Sequence, residues 1–294
     1  VTLGPALVLG ASAPSRRGLN LGLSALAGFI VGGVLAPVIL VGLASHLGWR
    51  AAFFVTGLPG LLAALALAKW VKETPDPTET TARNKSGALD VLRIRNMWLC
   101  MAVASLLVAG QSVILTFAPI LLTGLRHLTP ADMGVVMSAF GLATAAGMFI
   151  LPVLSDRLGR KPVLIGFAAL AAVAVSALSW AGPAVPPALI MAAAGIGFVA
   201  PMLSIAIIPG ESVGTRERGA ALGLAIAAAE IVGGFAAPPL AGLVADHLGQ
   251  DVLPPIAAAC TLAGALLAFA LRETAPRRTG VPDLALVPAL TPLE

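Results

Sequence analysis

Glu230 is the only acidic residue deep inside a long apolar run, GAALGLAIAAAEIVGGFAAPPL over residues 219–240. A carboxyl group among such neighbours is expensive to keep charged, so it can exchange a proton with passing water or contact a bound solute. The other reading of Glu230 is a neutral acid hydrogen-bonded between helices. Further polar patches sit within other apolar runs: Gln111, Ser112 and Thr116 in 96–122, Ser138 and Thr144 in 131–154, and Ser204 in 186–208. Hydroxyls in such runs commonly bond their own backbone or a neighbouring helix. Gln111 is the stronger candidate, because an unpaired amide costs more than an unpaired hydroxyl. A second charged cluster, Ser155-Asp156-Arg157-Leu158-Gly159-Arg160-Lys161, lies between two apolar runs, 131–154 and 162–181. No Ser/His/Asp set, metal-ligand spacing or phosphate-binding glycine loop accompanies these groups, so an enzyme is not expected. No cofactor beyond a proton or ion gradient is implied, and no metal.

The elements that must position these residues follow from composition. The chain has 294 residues, 58% of them hydrophobic and 11% charged, with a mean hydropathy of +0.97. Soluble domains carry about 25% charged residues. An all-α integral membrane protein is the class that fits, since helices satisfy their own backbone in lipid and the alternating ten-residue segments of a β-barrel are missing. A helix needs about 20 apolar residues to cross the bilayer. The runs 19–45, 50–70, 96–122, 131–154, 162–181, 186–208, 219–245 and 252–271 meet that length. The run 1–9 is too short and reads as the end of a further helix. Pro119 is expected to break the run 96–122 late, and Pro201 lies inside the run 186–208. Residues 209–218 read as a polar loop, 73–95 as a linker, and the proline-rich segment 273–294 as a disordered tail. Cys100 and Cys260 lie within apolar runs and read as buried neutral thiols. The net charge of +4 is spread over loops, which gives no nucleic-acid signature.

Charge placement orients the spans. Of the 18 lysines and arginines, only Arg50 and Arg126 fall in the alternate loops opposite to the set that begins with Arg16 and Arg17. Basic loops stay on the cytoplasmic side, so the cluster 155–161, the linker and the C-terminus are expected there. An internal repeat gives an independent test. Arg17-Gly18 matches Arg218-Gly219 at an offset of 218 − 17 = 201. At the same offset Leu21-Gly22-Leu23 matches Leu222-Gly223-Leu224, and Ile30-Val31-Gly32-Gly33 matches Ile231-Val232-Gly233-Gly234. Ala36-Pro37 matches Ala237-Pro238, and His46-Leu47-Gly48 matches His247-Leu248-Gly249. Glu230 falls opposite Phe29, so the acid is not part of the repeat.

With Pro152, the charged cluster reads P-x-x-S-D-R-x-G-R-K-P. This resembles the G-x-L-a-D-R-x-G-R-[RK] loop signature of the major facilitator superfamily of secondary transporters, with proline at the first glycine position. The parallel repeat agrees with the two halves of that fold. The resemblance implies a two-bundle fold that is incomplete here, with about eight full spans plus the end of one more. Residues 1–72 would be the remainder of an N-terminal bundle, 73–95 a cytoplasmic linker, 96–272 a C-terminal six-helix bundle and 273–294 a tail. The twin of the half beginning at residue 96 would begin at 96 − 201 = −105, so a further stretch of that length is expected upstream.

The resemblance further implies alternating access around a central site, with Gln111, Ser112, Thr116, Thr144, Ser204 and Glu230 as cavity candidates. It casts Asp156, Arg157, Gly159, Arg160 and Lys161 as a conformational latch, with Asp156 near the helix start at Arg17 and with Arg218 at the equivalent start in the other half. The chain would work as a monomer in the bacterial inner membrane on a small organic solute. The place of the G-P-x-x-G-G motif of antiporters reads Ala36-Pro37-Val38-Ile39-Leu40-Val41, without the closing glycines. Gly48-Trp49-Arg50-x-x-Phe53 is similar to organic-anion importers. Both features point to import, and Glu230 to its coupling to protons. A drug or metabolite exporter on the same fold, and a membrane sensor or inactive fragment that transports nothing, remain open on the sequence.

Overall fold

A computed structural model of the protein describes residues 32, 36–70, 91–124, 126–180, 185–213 and 217–275, and every regular element among them is helical. The helices are α1 (Ala36–Leu47), α2 (Trp49–Trp70), α3 (Arg95–Gly124), α4 (Pro130–Leu158), α5 (Arg160–Trp180), α6 (Pro187–Gly197) and α7 (Leu203–Ser212). Then come α8, made of Arg218–Ala228, a π-helical stretch Ala229–Ala236 and Ala237–Leu248, and α9 (Gln250–Ala270). Five of these, α3, α4, α5, α8 and α9, are long and apolar enough to cross a membrane. The chain is a multi-pass membrane protein.

Helix ends follow local chemistry. Thr129 caps α4: its hydroxyl accepts the Asp132 N–H at 3.2 Å, and Pro130 fills the first position, where no donor is needed. The sequence placed a loop between α4 and α5, but the reversal takes a single residue. Gly159 adopts φ +102°, a conformation that L side chains rarely reach, so both helices run up to it. Pro119 does not break α3, which continues to Gly124 while the Thr123 hydroxyl donates to the Pro119 carbonyl at 2.8 Å. Pro201 has the stronger effect. Its ring would clash with the carbonyl four residues back, and α6 stops there, at Gly197. Beyond the turn the chain is helical again to Ser212, so Pro209, Gly210 and Glu211 belong to α7 rather than to a loop.

Two π-helical stretches share one cause. Leu203–Ile207 precedes Pro209, and Ala229–Ala236 precedes Pro238-Pro239. Widening the turn lets the last available donor skip one residue: Ile208 N–H bonds Leu203 O, and Ala237 N–H bonds Val232 O. Gly32, the repeat twin of Gly233, is also π-helical and also stands five residues before its proline, Pro37.

Within the bundle α4 packs on α6, α9 on α3 and α5, α5 on α6, and the π-helical part of α8 on α3; α1 packs on α2 and α4. One core cluster joins Ile114, Leu121, Phe140, Val175, Met191 and Leu253; another joins Cys100, Leu107, Leu151, Leu164, Leu203 and Leu271. Cys100 is buried, Cys260 is half-buried, and both are free thiols. Val135, Leu142, Phe149 and Val153 lie exposed along one face of α4, as a lipid-facing stripe should. At the opposite end from the charged cluster, the Arg126 guanidinium donates to Ala177 O at 3.0 Å, and Arg50 stacks over the Trp49 ring at 4.4 Å.

Lipid is as apolar as leucine, so close helix contact in a membrane comes from small residues. A Cβ at Gly110 would meet the Thr261 hydroxyl and lie 2.6 Å from the Ala257 carbonyl. Gly110→Val is therefore expected to push α3 from α9 and cost about 1–3 kcal/mol, read as a lower midpoint of thermal unfolding in detergent.

Candidate functional site

Polar groups collect at two levels, one within the helices and one at the end that carries the charged cluster. The inner level is built on α3 and α8. Ala221, Ala225, Ala229 and Gly233 form the buried stripe of α8 that meets α3. A Cβ at Gly233 would lie 2.6 Å from Ser105 O and 2.7 Å from Ala109 N, so glycine sets how near the two helices come. The Ser105 hydroxyl crosses the seam to Ala228 O at 3.0 Å. Glu230 stands beside this stripe, in the π-helical stretch, with its side chain exposed. It has no hydrogen bond or ion pair among the described residues, and its Oε2 lies against Gly234, where a Cβ would come within 2.6 Å. α8 is the least covered of the five long helices. Ser105, Ala109, Ser112 and Thr116 fall on one face of α3, whose inner part meets Gly233. Ser112 is half-buried and Thr116 exposed. Gln111, also half-buried, continues the line of Ala104 and Val108, which packs on Ala229 and Ile205.

Two of the sequence candidates have other duties. The Thr144 hydroxyl is buried and shared between Phe140 O at 2.9 Å and Gly195 O at 3.2 Å, which fastens α4 to α6. The Ser204 hydroxyl is fully buried and donates to Pro201 O at 3.1 Å, beside the break between α6 and α7. Both hydroxyls donate to backbone oxygens, a common use of such groups within helices.

The outer level centres on Arg160, which is 8% exposed. Its guanidinium holds Glu211 of α7 through Nε at 3.2 Å and Nη2 at 2.9 Å. On its other side Nη1 bonds the Ser155 hydroxyl at 2.7 Å and pairs with Asp156. Thr274 adds a hydroxyl to Glu211 at 2.6 Å. Glu273 caps α5: its carboxylate accepts Arg160 N–H at 2.8 Å and Lys161 N–H at 3.2 Å, together with the amides of Thr274 and Ala275. The Lys161 ammonium donates to Phe269 O at the end of α9. Asn96 ties in α3: its amide donates to the Ser212 hydroxyl at 2.7 Å, and its Oδ1 accepts Arg272 N–H at 3.1 Å. Arg157 points outward. Arg218 opens α8, while Arg17, the proposed neighbour of Asp156, lies outside the described residues.

Glu211, Glu273 and Asn96 were missed by sequence reasoning, which left them to a loop, a tail and a helix start. One signal pointed to Glu273. Arg272-Glu273-Thr274 echoes Lys72-Glu73-Thr74 at an offset of 273 − 73 = 200, just after the last helix of each half. Burial alone pushes the Glu273 carboxyl up, but the amides of Ala275, Arg160, Lys161 and Thr274 outweigh it and hold the group below the usual carboxylate range. A lowered acid stabilises the fold above its unfolded range and loses that contribution as pH falls through the folded value. The stability gap between the wild type and Glu273→Gln should therefore close on acidification below pH ~4.3. Unfolding midpoints in detergent across that range check this; a gap that stays constant with pH contradicts it.

Comparison with known proteins agrees with the geometry. The sequence profile described as Major Facilitator Superfamily matches residues 1–129 and 103–289. An uncharacterized MFS-type transporter of Salmonella typhimurium is 33% identical over 141 residues, which are 47% of this chain and 35% of that protein. The chain thus spans about a third of the length of that relative. Among solved structures, a bacterial homologue of the human lysosomal transporter Spinster, inward-facing and unoccupied, aligns with a TM-score of 0.58 at 14% identity, over 91% of this chain and 70% of that one. The MFS transporter FucP in its outward conformation aligns at 0.56 and 16%, over 92% and 72%. At such identities these two show the fold alone. With the charged cluster at the α4–α5 reversal, the repeat and the profile match in agreement, the chain belongs to the Major Facilitator Superfamily.

Proposed function

We propose that this chain is the larger part of a secondary active transporter that imports a small organic solute by alternating access, driven by a proton gradient. Glu230 is the coupling group, with Gln111, Ser112 and Thr116 on the neighbouring helix as the first candidates for solute contact. The observation that carries this reading is the exposed carboxyl of Glu230, about halfway along the least covered long helix. An ionisable group at that depth marks an ion or substrate path more often than a packing device. FucP, which shares the fold, is itself a fucose:proton symporter. The protein would act as a monomer in the bacterial inner membrane with its C-terminus cytoplasmic, and the Arg160 network would stiffen the cytoplasmic end of the bundle as the halves rock.

The test is solute-dependent proton movement. Proteoliposomes holding the natural full-length protein and a trapped pH dye are challenged with a panel of sugars, amino acids and organic acids. One or more should acidify the lumen on entry. Movement of protons out of the lumen during solute entry would mean exchange rather than cotransport and overturn the direction of coupling.

A further inference from the structure

The turn that carries Glu230 holds more oxygen than a proton requires. A helical carbonyl takes its hydrogen from the residue four ahead, or five ahead in a π-helical turn. For Gly234 those residues are Pro238 and Pro239, and neither has an N–H. The residue three ahead, Ala237, gives its N–H to Val232 O instead. Gly233 is in the same position: its donors would be Ala237, already committed, and Pro238. Two successive carbonyls are thus left without a helical donor, one turn beyond Glu230. Its Oε2 lies 2.6 Å from where a Cβ on Gly234 would stand. Among the described residues, no ion pair or hydrogen bond joins a positive group to it. The ionisable residues of α3 are Arg95 and Cys100, in its first two turns, and those of α8 besides Glu230 are Arg218 at its start and Asp246 and His247 at its far end.

Relation to the repeat sharpens the point. At the 201-residue offset Gly234 and Pro238 match Gly33 and Pro37, whereas Glu230 and Pro239 match Phe29 and Val38. The carboxyl group and the second proline, which removes the last donor for Gly234, occur together in one half only. A bare carbonyl inside a membrane protein is tolerated where it lines a cavity, and such carbonyls hold monovalent ions in other transporters.

We propose that the turn formed by Glu230, Gly233, Gly234, Pro238 and Pro239 binds a monovalent metal cation of the sodium class. The inference builds on Glu230 as the coupling group and names an ion that can occupy it besides the proton. One carboxylate and one monovalent ion are neutral together, whereas a divalent ion would leave a net charge at a depth where charge is costly. The carboxylate and the two carbonyls belong to residues 230–234, about one turn of helix, a spacing that suits a bare ion better than a substituted ammonium group. Remaining ligands come from water or the solute on the open side.

The test needs no knowledge of the solute. The purified full-length protein in detergent is unfolded thermally in increasing sodium chloride, with choline chloride and methylammonium chloride as parallel series. A cation that binds only the folded state raises the midpoint saturably. Sodium alone is expected to do so. Glu230→Gln should abolish the response. The double variant Pro238→Ala/Pro239→Ala, which returns both donors to a segment that stays helical, should raise the half-saturating sodium concentration about tenfold. Gly234→Ala, which moves the carboxylate off its seat, should act in the same direction. Equal responses to sodium and choline, a response to methylammonium but not sodium, or an unchanged sodium response in the proline variant would each overturn the proposal. If Glu230→Gln abolishes solute-coupled proton movement while sodium has no effect on the wild type, this inference fails and the proposed function stands. If coupling survives Glu230→Gln while the sodium response is lost, the reverse holds.

Discussion

Replacing Arg160 with leucine is expected to destabilise the helical bundle by about 1.5–3 kcal/mol, the range for hydrogen bonds to charged groups, because Arg160 is buried while Glu211 and Asp156 stay partly exposed. The guanidinium is nearly buried and is shared by two carboxylates and a hydroxyl from two other helices. Without it Glu211 loses both its nitrogen contacts, and the Ser155 hydroxyl, itself fully buried, loses its acceptor role. Lysine would keep the charge and lose the fork that reaches both sides at once, so Arg160→Lys should fall between leucine and the wild type. The double variant Arg160→Leu/Glu211→Leu separates pairing from burial, because removing both charges spares the cost of an orphaned carboxylate. It should recover a large part of the loss. Unfolding in detergent reads all three, and an Arg160→Leu protein as stable as the wild type would show that the network contributes nothing.

The sequence carried the spans but not the contacts between their ends. Long apolar runs bounded by charge locate a membrane helix almost unaided, and α5 spans Arg160–Trp180 against a run read as 162–181. The charged cluster was visible as a reversal, yet its purpose within the bundle was not. Arg160 and Glu211 are 51 residues apart, and Arg160 and Glu273 113. Nothing local relates them. Helix continuity at proline was legible only in part. Pro119 and Pro201 look alike in sequence, but α3 absorbs the first, while the second ends α6 four residues earlier. Beyond Gly197 the chain turns through bonds to the residue three back, Ala200 N–H to Gly197 O and Leu203 N–H to Ala200 O, whereas no contact among the described residues accounts for the continuity of α3 at Pro119.

The inner site divides in the same way. That Glu230 is alone at its depth is a property of composition, readable without coordinates. That Thr144 and Ser204 spend their hydroxyls on backbone oxygens is a property of packing: the Thr144 bond to Gly195 depends on how closely α6 approaches α4. The π-helical stretch stands between these cases. Two prolines in succession remove two donors whatever the tertiary structure, so the bare carbonyl of Gly234 could be derived from Pro238 and Pro239 alone. Only the position of Glu230 Oε2 against Gly234 needed the fold.

Glu230→Gln is expected to abolish proton-driven accumulation, a fall of at least about tenfold, while leaving exchange of solute across the membrane largely intact. Glutamine keeps the shape and polarity of the side chain and removes only the group that takes up and releases a proton. Exchange requires the loaded protein to reorient; net accumulation also requires the proton to be bound on one side and released on the other. The two activities therefore separate if Glu230 is the coupling group, and fall together if it holds the fold or the solute. A folding effect is not expected, because the carboxyl group is exposed and bonds to nothing among the described residues, so the unfolding midpoint should match the wild type. Asp at this position tests reach: Glu230→Asp retains the acid but withdraws it by one methylene, and should couple less tightly without losing accumulation. The measurement is uptake against counterflow in proteoliposomes, with a solute found by the proton-movement screen, at several imposed pH gradients. Accumulation by Glu230→Gln that still follows the pH gradient would remove Glu230 from the coupling path.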